Sequence, residues 1–324
     1  MNRGRWWTIA AYGLVVVVLA GGLAYLGRSV IKRPWSARDR IAAAGVGDTV
    51  FVFGGENNAV GLLDEILGID VRRKTVAVVG HLPVPCCSAA AVSLEGQVYV
   101  LGGQRVGGYC SSVLRFDPRA TGDPERIGDL PTPRAHGAAV ACGEKLYYLG
   151  GWDGAQRLDE VVEIDPATGE SQIVGRLPSP RQSLAAVAVD GRILAIGGEN
   201  ADRDPMAEVI AVEPESGRVA RLADLPVARE RCAAVTVSGM PVLLGGWSGH
   251  GLDDIVRLDP ASGVVLDEAP GRLPHPMPDC VATVARAEVY VLDKNDPDFD
   301  RQIGIWAIDP TTWKTTALRL RAPW

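Results

Sequence analysis

The sequence repeats one short motif five times, as FVFGGEN at residues 51–57, YVLGGQR at 99–105, YYLGGWD at 147–153, LAIGGEN at 194–200 and VLLGGWS at 242–248. Successive glycine pairs are 48, 48, 47 and 48 residues apart. A fixed period of this size indicates stacked copies of one structural unit. The repeat therefore decides the fold, and each copy is expected to form the same element.

Each copy contains four short apolar stretches that alternate with turn-forming Gly, Asp and Pro residues, a pattern typical of β-strands. Four strands in about 48 residues match one blade of a β-propeller. A sixth copy, VYVLDKN at 289–295, keeps the apolar run but has Asp293-Lys294 in place of the glycine pair. In the third copy the predicted strands are Ala138–Cys142, Lys145–Leu149, Glu160–Ile164 and 171–174.

Six periods fill residues 38–324, so the sequence predicts an all-β fold, a six-bladed β-propeller. Because every copy has the same phase, the first strand is expected to be innermost in blade 1 and the last strand outermost in blade 6. Ring closure would then depend on side-chain packing between blades 1 and 6. This junction is the predicted weak point of the ring.

Over residues 38–324 the chain resembles the kelch family of β-propellers. The resemblance rests on the five glycine pairs, a recurring Asp-Pro such as Asp165-Pro166, and Trp152-Asp153-Gly154 directly after a glycine pair. The chain departs from the kelch pattern in lacking the fourth-strand tryptophan in most blades and the sixth glycine pair. The glycine pair itself has a structural explanation, since a sharp turn in crowded surroundings requires positive φ or a missing Cβ.

The resemblance implies a ligand site at one mouth of the central channel. Two parts of each blade would build it: the residue that leads into the first strand, here called the lead-in residue, and the loop after the glycine pair. The lead-in residues are Arg40, Ser88, His136, Ser183, Arg231 and Asp279. The candidate ligand-binding residues are Arg40, His136, Arg157, Arg231, Trp152, Trp247, Glu56 and Glu199.

In the kelch modules that the chain resembles, arginines at the positions of Arg40, Arg231 and Arg157 contribute to binding acidic peptides. Guanidinium groups form bidentate, charge-assisted pairs with carboxylates, so an acidic peptide or a sugar acid is the expected ligand class. The alternative is that these arginines pair with neighbouring loop acids and only line a wet channel. A different set recurs two residues before the lead-in position and is expected to be structural: Arg38, Arg134, Arg181 and Arg229.

No cofactor and no metal site are predicted. The six cysteines include no CxxC spacing of the kind that binds zinc. In an exported domain, a disulfide from Cys110 to Cys86 or Cys87 would be compatible with the repeat. The alternating Asp296, Asp298 and Asp300 resemble the start of a calcium loop, but Arg301 stands where such a loop needs glycine.

The N-terminus predicts a membrane attachment. Residues 1–7 form a basic head, 8–27 a transmembrane anchor or uncleaved signal, and 28–37 a tether. A cleaved signal peptide is the competing interpretation, since Gly22 and Ala24 are small residues at a suitable spacing. More positive charge follows the span than precedes it, which favours a cytoplasmic propeller. The short basic head favours export, and we expect an extracytoplasmic propeller on a single-pass anchor.

Charge divides the chain into two parts. Residues 1–40 carry seven basic groups and one acid, whereas residues 41–324 carry 26 basic and 38 acidic residues, a net charge of −12. An acidic body of this kind is repelled by phosphate backbones, so nucleic-acid binding is not expected. The hydrophobic content of 47% is too high for a disordered chain.

Two functions follow from the sequence. The first is a membrane-tethered binding module that recognises a protein segment or a glycan at the mouth, with no catalytic residues assigned. The second is an exported enzyme on sugar acids, similar to the six-bladed, kelch-like mutarotases of the sialic-acid type. In that case Arg40, Arg231, Glu56, Glu199 and His136 would bind the carboxylate and transfer protons. Because no acid/base or nucleophile set is evident, the binding module is preferred.

Overall fold

A computed structural model describes residues 17–19, 22–24, 38–120, 122–267, 271–293 and 303–321. Six antiparallel sheets of four strands each make up the propeller, which confirms the predicted six-bladed architecture. In each blade the strands follow one another in sequence order from the first to the fourth. The blades consist of Ala42–Val46, Thr49–Phe53, Glu65–Asp70 and Thr75–His81; Ala90–Leu94, Gln97–Leu101, Ser112–Phe116 and Glu125–Asp129; Ala138–Cys142, Lys145–Leu149, Glu160–Ile164 and Ser171–Arg176; Ala185–Val189, Arg192–Ile196, Glu208–Glu213 and Arg218–Asp224; Ala233–Val237, Met240–Leu244, Ile255–Leu258 and Val265–Asp267; and Val281–Ala285, Glu288–Asp293, Gly304–Ile308 and Thr315–Ala317.

The strands predicted for blade 3 match the observed ones, except that the fourth ends at Arg176 rather than at residue 174. Two small hairpins, which the sequence did not predict, follow the glycine pairs of blades 1 and 2. They consist of Glu56–Asn57 with Gly61–Leu62, and of Gln104–Arg105 with Gly108–Tyr109.

The predicted anchor at residues 8–27 falls mainly outside the described residues. Two pieces of it are described, the strands Val17–Leu19 and Gly22–Ala24, which pair antiparallel. The basic head and the tether at 28–37 also lie outside the described residues. Within the described part of the chain, no helix has the length and apolar character needed to cross a membrane.

The hydrophobic core is divided into six layers, each lying between two adjacent blades. Between blades 2 and 3, for example, Tyr99 and Leu101 pack with Leu146 and Tyr148. Equivalent layers join every other pair of neighbours, including blades 1 and 6. Strand residues point alternately to the two faces of a sheet, so each blade contributes to the layers on both of its sides. Burial therefore stabilises the ring as a whole rather than any single blade.

Ring closure differs from the prediction in one respect. Side-chain packing between blades 1 and 6 is present, with Leu318 and Leu320 in the shared layer. In addition, the Arg321 amide donates to the Lys74 carbonyl oxygen at 2.7 Å, and the Arg286 amide donates to the Gly47 carbonyl oxygen at 3.1 Å. Backbone hydrogen bonds thus cross this junction as well, which the repeat phase did not indicate.

The glycine pairs occupy crowded turns, as expected. In blade 3, Gly150 has φ of 62° and Gly151 has φ of 102°. A Cβ on Gly150 would lie 2.5 Å from the carbonyl oxygen of Arg181 in the next blade. Real Cβ atoms do not approach backbone oxygens so closely. The pair therefore lets two adjacent blades come together at the mouth.

The recurring arginines are buried beneath these turns. Arg181 is fully buried, donates to the Gly197 carbonyl oxygen at 3.2 Å and pairs with Glu208 at 2.5 Å, both within blade 4. Its own carbonyl oxygen accepts a hydrogen bond from the Gly151 amide of blade 3. Side chain and backbone thus join the inside of one blade to its neighbour, which agrees with the predicted structural role. The other members are Arg38, Arg134 and Arg229, paired with Glu65, Glu160 and Asp254.

Candidate functional site

All six lead-in residues line one cavity of about 290 Å³ at the mouth of the channel. Five of them have left-handed backbone conformations, with φ between 51° and 59°. Such conformations are uncommon outside glycine and often mark functional sites. The positions aligned by the repeat therefore lie together around one cavity. The six residues are Arg40, Ser88, His136, Ser183, Arg231 and Asp279.

A chain of backbone hydrogen bonds connects five of the lead-in residues across successive blades. The Ser88 amide donates to the Arg40 carbonyl oxygen at 2.7 Å, and the His136 amide donates to Ser88 at 3.1 Å. The series continues through Ser183, at 2.6 Å, to Arg231, at 2.8 Å. This chain fixes the spacing of the side chains around the mouth, so their geometry does not depend on flexible loops.

The lead-in residues divide the mouth into a charged half and a neutral half. Blade 6 lies between blades 5 and 1, so Asp279 falls between Arg231 and Arg40 in the ring. In the opposite half, formed by blades 2, 3 and 4, the lead-in residues contribute two hydroxyl groups and an imidazole. Gln182 and Glu199 of blade 4 also line this half, where the charge of Glu199 is compensated by its ion pair with Arg157.

The two arginines of the charged half already have carboxylate partners. Arg40 pairs with Glu56 and also donates to the side-chain oxygen of Gln104 at 3.3 Å. Arg231 pairs with Glu230, its neighbour in sequence, at 2.6 Å. Even so, 30% of the Arg40 side chain and 42% of the Arg231 side chain remain exposed. Both guanidinium groups can therefore accept a further partner without leaving the first.

Arg157 is placed differently. It does not line the cavity but forms an ion pair with Glu199 of the next blade, and only 10% of its side chain is exposed. Its guanidinium carbon lies 5.6 Å from the centroid of the Trp152 ring, within the range of a cation–π interaction. Gln182 donates to the other oxygen of Glu199 at 3.1 Å. Arg157 lies behind the cavity wall and holds Glu199, which lines the cavity, in position.

Glu199 and its neighbour Glu230 have pKa values shifted in opposite directions. Burial and the neighbouring Glu199 raise the pKa of Glu230 more than its ion pair with Arg231 lowers it. Burial also acts against the charged form of Glu199, but hydrogen bonds from Glu230, Gln182 and Arg157 outweigh it and lower its pKa. Contact between the two carboxyl groups thus moves their pKa values apart.

His136 is neutral at physiological pH. Burial lowers its pKa to about 4, and the positive charges of Arg40 and Arg231 contribute to the shift, while Glu199 opposes it. Both arginines line the same cavity as the imidazole, which explains their effect on its pKa. The neutral ring offers one donor and one acceptor nitrogen to the cavity.

The remaining predicted residues lie in loops around the cavity rather than in its lining. Trp152 and Trp247 follow the glycine pairs of blades 3 and 5, and each exchanges backbone hydrogen bonds with the residue before the lead-in position. Glu56 occupies the equivalent place in blade 1. The hairpins of blades 1 and 2 extend this rim, with Val60 and Val106 exposed at their tips.

Sequence reasoning missed Glu230 and Gln182. Each directly precedes a lead-in residue, a position for which the sequence predicted no role. The signal for Glu230 was its place between Arg229 and Arg231. No local signal identifies Gln182, because its role depends on Glu199 of the facing loop.

All six cysteines are free thiols. Burial, with smaller effects from Cys110 and Cys87, raises the pKa of Cys86 to about 12. The described residues contain no group of three or more His, Cys, Asp or Glu side chains arranged to hold a metal ion. The acidic run at Asp296, Asp298 and Asp300, which resembles the start of a calcium loop, lies outside the described residues.

Comparison with known proteins supports the fold. The chain is similar to the solved structure titled "Structure of YjhT", with a TM-score of 0.71 over 88% of this chain and 99% of that one, at 15% identity. Likeness at this identity concerns the fold alone. No curated protein matches the sequence. The family model of the KLHDC2/KLHL20/DRC7 Kelch-repeats domain matches residues 28–198, more than half of the chain, and the protein therefore belongs to the kelch-repeat family.

Proposed function

We propose that the protein is a membrane-tethered binding module whose propeller mouth captures a carboxylate-bearing segment of another protein. Kelch propellers are typical protein-interaction modules. The observation that carries the proposal is that Arg40 and Arg231 face one cavity and keep part of their guanidinium surface exposed there. Burial in such a mouth strengthens charge-assisted hydrogen bonds to a carboxylate.

The neutral half of the mouth supplies the rest of the recognition. Ser88, His136 and Ser183 offer hydrogen bonds that suit the amide groups of a peptide or the hydroxyl groups of a sugar. A cavity of about 290 Å³ accommodates one or two side chains or a single sugar ring. The proposed ligand is therefore compact, acidic at one end and neutral but polar at the other.

Binding of synthetic peptides tests this proposal. Decapeptides that carry zero to four Asp or Glu residues would be titrated against the purified full chain by fluorescence anisotropy. Affinity is expected to rise with acidic content and to fall at least tenfold for each of Arg40→Ala and Arg231→Ala, since a hydrogen bond to a charged group contributes about 1.5–3 kcal/mol. Arg218→Ala, on an outer strand, is the matched control. Unchanged affinity in the double variant would exclude the mouth as the site.

A second function is favoured by a separate observation, the opposite pKa shifts of Glu230 and Glu199 beside a neutral His136. Neighbouring groups with separated pKa values are the usual arrangement for general acid–base catalysis. In a sugar-acid mutarotase or epimerase, Arg40 and Arg231 would hold the carboxylate while Glu230 and Glu199 exchange protons with the ring.

Proton exchange of free sialic acid, followed by NMR, separates the two functions. An enzyme accelerates interconversion of the anomers, and Glu230→Gln abolishes the acceleration while leaving carboxylate binding in place. A binding module leaves the exchange at its uncatalysed rate. Absence of acceleration by the wild-type chain excludes the enzyme.

A further inference from the structure

The point at which the chain enters the propeller lies on the mouth face. Arg38, the first described propeller residue, has a fully buried side chain that donates to the Gly54 carbonyl oxygen at 3.2 Å and to Glu65 at 2.9 Å. Asp39 exchanges two backbone hydrogen bonds of 2.8 Å with Glu56 in the rim loop. Arg40 then lines the cavity. The first described residues of the propeller are therefore fixed at the mouth, not at the side or the opposite face.

The connection to the predicted anchor is short. Ten residues, 28–37, separate the anchor from the propeller. A chain of ten residues spans at most about 33–36 Å. The opposite face lies one inner strand farther away, because Ala233–Val237 runs from Arg231 at the mouth to the turn at Ser238, about 17 Å at 3.3 Å per residue. The mouth is thus the face that lies nearer to the predicted anchor along the chain.

Charge decides between lipid and protein as the ligand. Residues 41–324 carry a net charge of −12, so anionic head groups repel the propeller as a whole. Within the mouth, positive charge is confined to the two partly exposed guanidinium groups, which lie beside Glu56, Glu230 and Asp279, so no broad positive surface faces a membrane. The rim carries two exposed valines at its hairpin tips, Val60 and Val106, which suit a polypeptide better than a phosphate layer.

We propose that the mouth faces the membrane in which residues 8–27 are anchored, and that its ligand is a segment of another protein in that same membrane. This inference rests on the proposed tether and mouth site. With this orientation, the partner segment must lie near the bilayer surface, at a height that the mouth can reach on its ten-residue tether.

Energy transfer in reconstituted vesicles tests the orientation. A donor dye would be attached to His250→Cys on the mouth side of blade 5, or to Ser238→Cys on its opposite side, with an acceptor on lipid head groups. Cys110→Ser and Cys142→Ser remove the partly exposed native thiols, and the other four thiols are buried. Transfer is expected to be more efficient from position 250. Equal or reversed efficiencies would overturn the orientation.

The partner is tested by comparing the same membrane with separate ones. The acidic decapeptide that binds most tightly in solution would be fused to a single transmembrane helix and placed either in the vesicles that hold the protein or in different vesicles. Capture within the same vesicle and none between vesicles is expected. Equal capture between vesicles would contradict the inference.

Two further results separate its failure from that of the proposed function. Extraction of the chain from vesicles by alkaline carbonate would overturn the tether and the inference together, although peptide binding in solution could persist. Loss of vesicle capture in the Arg40→Ala/Arg231→Ala variant is expected, with the dye efficiencies unchanged. Persistent capture in that variant would overturn the mouth as the ligand site, and with it the assignment of the partner.

Discussion

Arg229 and Asp254 form a two-pronged ion pair inside blade 5, with Nη1 to Oδ1 at 2.9 Å and Nη2 to Oδ2 at 2.8 Å. Only 2% of the Arg229 side chain is exposed. In blade 2 the same two positions hold Cys86 and Ser112, so the arginine and its acid are absent together. A buried charge is stable only with its partner, and the repeats keep or lose the two as a unit.

Removing one member of this ion pair should destabilise the fold more than removing both. Arg229→Met alone leaves Asp254 without its cation and is expected to lower the free energy of unfolding by about 3 kcal/mol. Blade 6 has Met277 in the arginine position and tolerates it. The double variant Arg229→Met/Asp254→Ser should therefore recover at least half of the loss. Urea denaturation of the four members of this cycle measures the coupling, and equal losses in the single and double variants would argue against it.

The glycine pair allows a test in which backbone strain is matched. Gly150 and Gly143 of blade 3 have φ of 62° and 60°, so alanine is strained to the same degree at both. A Cβ at Gly150 meets the Arg181 carbonyl oxygen, whereas a Cβ at Gly143 meets no atom within 4 Å. Gly150→Ala should lower stability by about 2 kcal/mol more than Gly143→Ala, because the blades must move apart.

Thermal unfolding of the two variants gives the comparison. If Gly150→Ala and Gly143→Ala lower Tm equally, positive φ alone explains the glycine pair. A larger loss for Gly150→Ala assigns the excess to the contact between blades 3 and 4.

The protonation of His136 should make stability depend on pH. Its pKa is about 4 in the fold and about 6.5 in the unfolded chain, so the unfolded state binds more protons between these values. The stabilisation that comes from the uncharged His136 is complete above pH 6.5. As pH falls towards 4 it is lost, which lowers the free energy of unfolding by up to about 3 kcal/mol. His136→Asn keeps a residue suited to positive φ and removes the titration.

The difference in stability between wild type and His136→Asn, measured at intervals from pH 7.5 to 4.5, isolates this effect. Wild type should lose stability relative to the variant as pH falls. A constant difference over that range would show that the imidazole is not buried as described. His250→Asn, at an exposed position of the same face, is the control for the introduction of an asparagine.

The sequence predicted the blades and the mouth because both follow from a repeat in constant phase. Aligning the repeats on glycines such as Gly150 and Gly245 identifies one lead-in residue in each blade. In the structure these residues line one cavity. Pairings between blades were not accessible in the same way. Arg157 meets Glu199 across 42 residues, and that contact depends on how two loops fold towards each other. The repeat shows where each residue lies within its blade. Which charged residues pair in the mouth is visible only in the three-dimensional structure.

The C-terminal residues help to close the ring between blades 1 and 6. Leu318 is buried between blades 1 and 6, and beyond it Leu320 packs against the same layer while the Arg321 amide donates to Lys74. Deleting residues 319–324 removes one apolar contact and one hydrogen bond, and should lower the free energy of unfolding by about 2 kcal/mol. Deleting 322–324 alone leaves these contacts in place and serves as the control. Hydrogen exchange should rise at the outer strand of blade 1, Thr75–His81, in the longer deletion only, because its neighbour across the junction is lost. Equal exchange in both deletions would mean that packing around Leu318 alone closes the ring.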